Sequence, residues 1–261
     1  SDLDLIHLQL PQFFSPLAPL HYALLATPMY RGAAALLTSD RRTAAACVEL
    51  LGVAPERCRV VPLGYDPALL APAEPLTVAR PFAFYDGTHR PHKNLRTLYE
   101  AWAGLHDALD LDLTITGPPD AQASERYRRR RGELRFTGDV PATELARLYR
   151  AAAAYVHPAL GEGFGLPMLE ATVLGTPVIA AASAVPEIVA PFASTFPAHD
   201  AFALRALLSD ALKPRRLPPA CGRGQRRRAR VYLGSMCGRY GCRVPRGRRC
   251  VCSLVGSGSL W

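Results

Sequence analysis

The chain of 261 residues contains no apolar run that approaches the ~18 residues needed to cross a bilayer. Its first residues, Ser1-Asp2-Leu3-Asp4, carry no basic segment ahead of an apolar one, so no signal peptide is expected. Acid is missing from one region only. Residues 211–261 hold Lys213 and twelve arginines without a single Asp or Glu, so the net +9 of the whole chain becomes −4 over residues 1–210. A basic balance invites a nucleic-acid reading. Here it belongs to the tail, which lacks the aromatic interleaving of a specific nucleic-acid surface, so no specific nucleic-acid partner is expected. Cysteine is scarce in the body, where only Cys47 and Cys58 occur. The tail cysteines, Cys237, Cys242, Cys250 and Cys252 among them, fit no pair of C-x2–4-C knuckles, and no metal site is expected. An odd total of seven without a regular framework predicts a reducing, cytoplasmic setting.

What is present is alternation. Apolar runs at 33–38 and 59–62 read as buried strands, with a helix from Arg41 to Leu51 between them, capped by Asp40 and stopped by Gly52. Pro67, Pro72, Pro75 and Pro81 mark 67–81 as a linker. Beyond it come strand candidates at Phe82–Tyr85, Leu111–Thr116, Leu134–Phe136, Tyr155-Val156 and Pro177–Ala181. Helices are expected from about Asn94 to His106, Pro141 to Ala152 and Pro167 to Leu174. This order predicts an α/β fold with a doubly wound parallel sheet, whose ligands bind at the carboxyl ends of the strands. Three segments follow: 1–75, helical and strand pieces; 76–212, the regular α/β domain; and 213–261, an irregular basic tail without helical or strand period. Such a tail reads as disordered or as the product of a shifted reading frame.

The chemistry concentrates in Gly161-Glu162-Gly163-Phe164-Gly165-Leu166-Pro167-Met168-Leu169-Glu170-Ala171. A glycine-rich turn after a strand opens into a helix, whose N-terminal N–H groups suit a diphosphate. Glu162 and Glu170 can each accept two hydrogen bonds from a diol. This block resembles the E-x7-E motif of the retaining glycosyltransferases of family 4, also called group 1, which have two Rossmann-like domains (the GT-B fold). Flanking blocks agree: residues 149–158 before it, Gly175-Thr176-Pro177-Val178-Ile179-Ala180 and Val185-Pro186-Glu187-Ile188-Val189 after it, and Gly87-Thr88-His89-Arg90-Pro91-His92-Lys93-Asn94-Leu95 upstream. The match runs from about residue 80 to 212. Residues 1–75 resemble more loosely the end of the family's first, acceptor-binding domain, with Leu63-Gly64-Tyr65-Asp66 at the crossover.

The resemblance implies that the chain moves a sugar from a nucleoside diphosphate donor to a saccharide or lipid acceptor with retention, needing no metal or other cofactor. Glu162 would serve at the reacting sugar, and Lys93 would neutralise donor phosphates. Backbone N–H groups of Gly163, Phe164, Gly165 and Leu166 would cradle sugar and phosphate, and Glu170 would hold the ribose. Thr137, Gly138 and Val140 would lie near the base, and Gly87 would belong to the first donor loop. It departs from the family's pattern at His92, where Arg is usual, and at Thr88, for which Arg90 is the substitute. The family's His–Asp pair aligns with Leu3-Asp4, leaving that His absent, and the first domain is expected to be incomplete. A cytoplasmic location with peripheral contact at the inner membrane face is implied. Two alternatives stand beside transfer: a truncated nucleotide-binding module without turnover, and an epimerase or phosphorylase of like architecture. His7, His21, His92, His157 and His199 are expected to have no functional part, and Arg128 to Arg131 to form a solvated charge run.

Overall fold

The computed structural model describes residues 5–106, 109–129 and 131–213. The expectations for the tail, for Leu3-Asp4 and for Arg130 lie outside the described residues. Before the first strand the chain is helical: α1 (Ile6–Gln9), α2 (Ala18–His21) and α3 (Thr27–Gly32), the last two joined by a π-helical stretch, Tyr22–Ala26. Strand β1 (Leu36–Thr38), helix α4 (Arg41–Leu51) and strand β2 (Cys58–Val60) then form a parallel pair with its crossover helix. Asp40 accepts from the Thr43 N–H and Gly52 ends α4 in the left-handed conformation, as their residue types demand. Both strands are shorter than expected. The helix C-cap at Ala33 and a bend at Ala34 take the start of the first, and the Pro55–Arg57 turn shifts the second towards Cys58.

The larger sheet contains β3 (Phe82–Tyr85), β4 (Asp112–Ile115), β5 (Leu134–Phe136), β6 (Ala154–His157), β7 (Val178–Ala181) and β8 (Ala193–Phe196). Its order is β5-β4-β3-β6-β7-β8, and its neighbouring strands pair parallel. Helices α5 (Leu95–Ala103), α6 (Ala121–Arg126), α7 (Ala142–Ala151), α8 (Leu166–Leu174) and α9 (Ala201–Leu212) complete the domain. Of these, α6 and α9, with strand β8, were not read from the sequence. The pleat sorts the side chains onto two cores. Phe82, Phe84 and Tyr155 face α7 and α8, whereas Ala83, Tyr85, Ala154 and Val156 face α5 and α9. Burial on both faces explains the continuous apolar runs of β3 and β6.

The proline-rich stretch 67–81 is anchored, not a loose linker. Pro67–Leu70 forms a turn, Leu69 is buried in the first core, and Arg150 of α7 donates to the carbonyls of Leu69 and Ala71 at 2.6 and 3.1 Å. Arg147 similarly holds the Glu74 carbonyl at 2.9 Å. The arginine run also divides. Arg128 and Arg131 are exposed, but Arg129 lies over the Trp102 ring and donates to the Leu109 carbonyl at 3.1 Å. Among the described residues no helix is long and apolar enough to cross a membrane.

The chain winds outward from β3 to β4 and β5, then returns to β6 on the other side of β3. The carboxyl ends of β3 and β6 therefore flank the switch point, where parallel sheets leave a crevice. The loops that leave these two strands, 86–94 and 158–165, carry the candidate residues.

Candidate functional site

Glycine and asparagine shape the two loops. Gly87 has φ of 150°, and a Cβ there would stand 2.9 Å from the Tyr85 hydroxyl. Asn94 adopts the left-handed conformation, which Asn tolerates better than most residues. Its amide donates to the carbonyls of Pro158 and Ala198 at 3.0 and 2.6 Å, stitching the two loops together. That turn is why α5 begins at Leu95 rather than Asn94. The turn Pro91–Lys93 precedes it and sends the Lys93 side chain to Glu162, with Nζ 2.5 Å from Oε2.

Glu162 has a second partner. His157, the last residue of β6, places Nε2 2.9 Å from the same Oε2. The Tyr155 hydroxyl lies 2.9 Å from the other ring nitrogen, Nδ1. Burial by itself would raise the Glu162 carboxyl. The hydrogen bond and charge of His157, followed by those of Lys93, outweigh it and hold the group at about 2. His157, expected to be without a role, thus belongs to the site. Its signal in the sequence was its position, two residues beyond Tyr155 on the same face of a buried strand and next to the loop of Glu162.

Glu170 sits on α8, away from Lys93. Burial, then the nearby carboxylates of Asp86 and Asp66, raise it to about 7, with the Tyr149 hydroxyl pulling weakly the other way. Asp86 follows β3 directly and was not singled out in the sequence. Its Oδ1 accepts from Thr116 Oγ1 at 2.7 Å and its Oδ2 from the Tyr149 hydroxyl at 3.0 Å. Asp66 caps the Pro67–Leu70 turn, so the crossover block ends against the larger domain's carboxylates.

Between the two glutamates lies the start of α8. Gly165 caps it with φ of 72°, no side chain caps the first turn, and Pro167 offers no N–H there. The Met168 N–H bonds to the Gly165 carbonyl at 3.0 Å, so the Leu166 N–H and the dipole are what the first turn offers an anion. A Cβ on Gly165 would collide with Met168 Cε, and a left-handed non-glycine costs roughly 1–2 kcal/mol. Gly165→Ala is therefore expected to lower unfolding free energy by about 1–2 kcal/mol and to weaken anion binding, measured by urea titration and calorimetry. Unchanged stability would contradict the left-handed cap.

On the far side of Asp86 an open cleft of 470 Å³ runs along the ends of β3, β4 and β5, lined by Gly87, Thr88, His89, Thr116, Gly138 and Val140 among others. Gly117 and Gly138 pair across it through mutual N–H to carbonyl bonds of 3.0 Å. The other candidates are placed less closely. Thr137 turns its hydroxyl onto the Gly138 carbonyl and does not line the cleft, and Arg90 is exposed ahead of the Lys93 turn. Gly163 is buried, and Leu166 is partly exposed. Phe164 is buried and lines a narrow crevice with Asp40, Arg41 and Pro186, where the two sheets' units meet. There Arg42 donates to the Ser183 carbonyl at 3.0 Å. His92 is buried with its ring 5.3 Å from that of Phe14, so it joins the site loop to the N-terminal segment. Among the described residues no group of three or more His, Cys, Asp or Glu is placed to hold a metal.

Residues 80–213 match the family model described as "Glycosyl transferases group 1". The chain is 35% identical over 141 residues to an O-antigen chain mannosyltransferase B of Escherichia coli, covering 51% of this chain and 37% of that protein. It is 32% identical over 208 residues to an MMP alpha-(1->4)-mannosyltransferase of Mycolicibacterium hassiacum, covering 76% and 50%. It thus spans half or less of these curated relatives. Among solved structures, Anabaena HepE in complex with UDP-glucose superposes with a TM-score of 0.65 at 17% identity, over 87% of this chain and 69% of that one. That likeness establishes the fold, the family model covers half the chain, and on that ground the chain belongs to the group 1 glycosyl transferases.

Proposed function

We propose that the chain carries out the donor side of a retaining, family 4 type glycosyl transfer, moving a sugar from a nucleoside diphosphate to a saccharide or lipid acceptor. The observation that carries the reading is the placement of Glu162 and Glu170 on either side of the uncapped start of α8. Glu162 is ionised and paired with Lys93, whereas Glu170 lies near Asp86, which lines the cleft. A nucleoside diphosphate sugar has its parts in the matching order. The base enters the cleft by Thr88, Gly138 and Val140, the ribose diol meets Glu170, the diphosphate meets the α8 N-terminus and Lys93, and the sugar reaches Glu162. The names of the similar proteins, two mannosyltransferases and a structure holding UDP-glucose, agree with a sugar donor of this class.

In the transfer, the bond from the anomeric carbon to the diphosphate oxygen breaks and the bond to the acceptor oxygen forms on the same face. The acceptor's proton passes to the departing phosphate. Charge grows on the diphosphate as it leaves, and Lys93 with the helix N-terminus stabilises it without a metal cofactor. Both Lys93 and His157 bond to Oε2 of Glu162, which leaves Oε1 for a sugar hydroxyl. Lys93→Ala is expected to weaken a nucleoside diphosphate more than the unphosphorylated nucleoside in calorimetry, with a difference that shrinks as salt rises. Equal losses for both ligands, independent of salt, would remove Lys93 from the phosphate site.

A further inference from the structure

We propose that His157, steadied by Tyr155, is a positioning residue that keeps Glu162 ionised and in place when Lys93 is drawn away to the donor diphosphate; the proposal rests on the glycosyl-transfer reading of the site. The side chains of Lys93 and Glu162 are each only 14% exposed and that of His157 1%. A carboxylate so buried is costly without a partner. In the free protein it has two, both on Oε2. A diphosphate carries more negative charge than one carboxylate, so Lys93 follows the donor. What remains beside Glu162 is His157, while among the described residues Tyr155 of β6 and Tyr85 of β3 also face it. Burial raises both tyrosines, so neither supplies a charge. His157 weighs more than Lys93 in holding the Glu162 carboxyl low.

The Tyr155 hydroxyl lets the imidazole keep a donor on Glu162 in either charge state, and a protonated ring adds its charge to that bond. It lies 2.9 Å from His157 Nδ1 and 3.2 Å from the Asp86 carbonyl, and it has one proton to give. With a neutral ring, Tyr155 donates to Nδ1, and the ring proton sits on Nε2, facing Glu162. With a protonated ring, Nδ1–H donates to the Tyr155 oxygen, which turns its proton to the Asp86 carbonyl. Nε2 still presents N–H to Glu162. In either state the carboxylate keeps a donor. At 1% exposure His157 has no route to substrate and acts through Glu162.

The test follows the Glu162 carboxyl by carbon-13 NMR in glutamate-labelled protein, assigned by its loss in Glu162→Gln, over about pH 4–8. Lys93→Ala stands in for donor capture and needs no ligand. Glu162 is expected to remain ionised throughout that range in Lys93→Ala. In Lys93→Ala/His157→Ala its midpoint should rise into the range, and with His157→Gln, which keeps a neutral donor, it should lie between. A Glu162 signal that titrates alike in Lys93→Ala with and without His157, or that is already protonated in Lys93→Ala, overturns the proposal. If the alanine variant does not fold, the comparison of Lys93→Ala with Lys93→Ala/His157→Gln decides in the same way. In turnover, His157→Ala should lower kcat by about 10–100-fold with donor KM within threefold, and add an acid limb absent from the unsubstituted protein. His157→Gln should recover most of kcat at pH 8. Equal changes in kcat and KM with an unaltered pH profile would mark a merely structural histidine and overturn the proposal. Failure of the unsubstituted protein to bind or use any nucleoside diphosphate sugar, with the NMR pattern as expected, would strike the transfer reading and leave the support of Glu162 by His157 standing.

Discussion

Replacing Glu162 with glutamine is expected to cut glycosyl transfer by about 100–1000-fold while donor affinity changes only a few-fold. The side chain keeps its size and can still meet Lys93 and His157, so the loop is held. The negative charge is what is lost. As the bond to the diphosphate breaks, the sugar takes on oxocarbenium character, and a fixed carboxylate beside it stabilises that charge more in the transition state than in the bound donor. The group is held at about 2 in the free protein, so at any working pH the anion is the form present. Its folded value lies below that of an unfolded glutamate. It therefore contributes stability above about pH 4.5 and loses it as pH falls towards 2. Steady-state kinetics with calorimetry separates the two effects. A loss of affinity as large as the loss of turnover would make Glu162 a binding residue only.

Glu170 is expected to govern donor affinity instead. A carboxylate accepting two ribose hydroxyl bonds contributes on the order of 1.5–3 kcal/mol, so Glu170→Ala should weaken nucleoside diphosphate binding by about 10–100-fold. Its pH dependence has a definite sign. Burial, then Asp86 and Asp66, raise the free group to about 7, so below that pH it is mostly protonated. Ribose hydroxyls bind the ionised form better, and affinity should fall as pH drops from about 7 to 5. Without ligand the dependence of stability runs the other way. A folded value above the unfolded one favours the fold below about 4.5, and that contribution is lost as pH rises through 7. Donor should reverse this trend by drawing the group to its charged form. Calorimetry across this range with a nucleoside diphosphate sugar, whose diphosphate does not titrate there, checks both statements, with Glu170→Gln as the variant whose profile is flat. Equal affinity at pH 5.5 and 8 would remove Glu170 from the donor site.

Much of the larger domain was legible because its signals are local. The buried runs at Phe82–Tyr85 and Tyr155-Val156 are marked by composition, and the start of α8 by a glycine that must be left-handed. Glu162 and Glu170 were legible through the block that surrounds them. Asp86 and His157 were not, because their meaning lies in partners far along the chain. Asp86 meets Thr116 and Tyr149, and His157 meets a loop whose shape depends on Asn94 holding Pro158. The packing of 67–81 escaped for the same reason. Its prolines mark irregular backbone, but only the arginines of α7, some eighty residues away, fix it to the domain. Arg129 reads as a surface charge until Trp102 lies beneath it.

Retaining transfer of a sugar from a nucleoside diphosphate at Glu162 would leave its record in the anomeric configuration of the product. Its most direct test supplies UDP-, GDP- and ADP-linked hexoses, carbon-13 labelled at the anomeric carbon, with a panel of saccharide and lipid acceptors. The anomeric coupling constant of the product is then read by NMR. The site described here predicts a product with the donor's anomeric configuration from at least one donor, and its loss in Glu162→Gln. Transfer with inverted configuration, or equal transfer by Glu162→Gln, would contradict it.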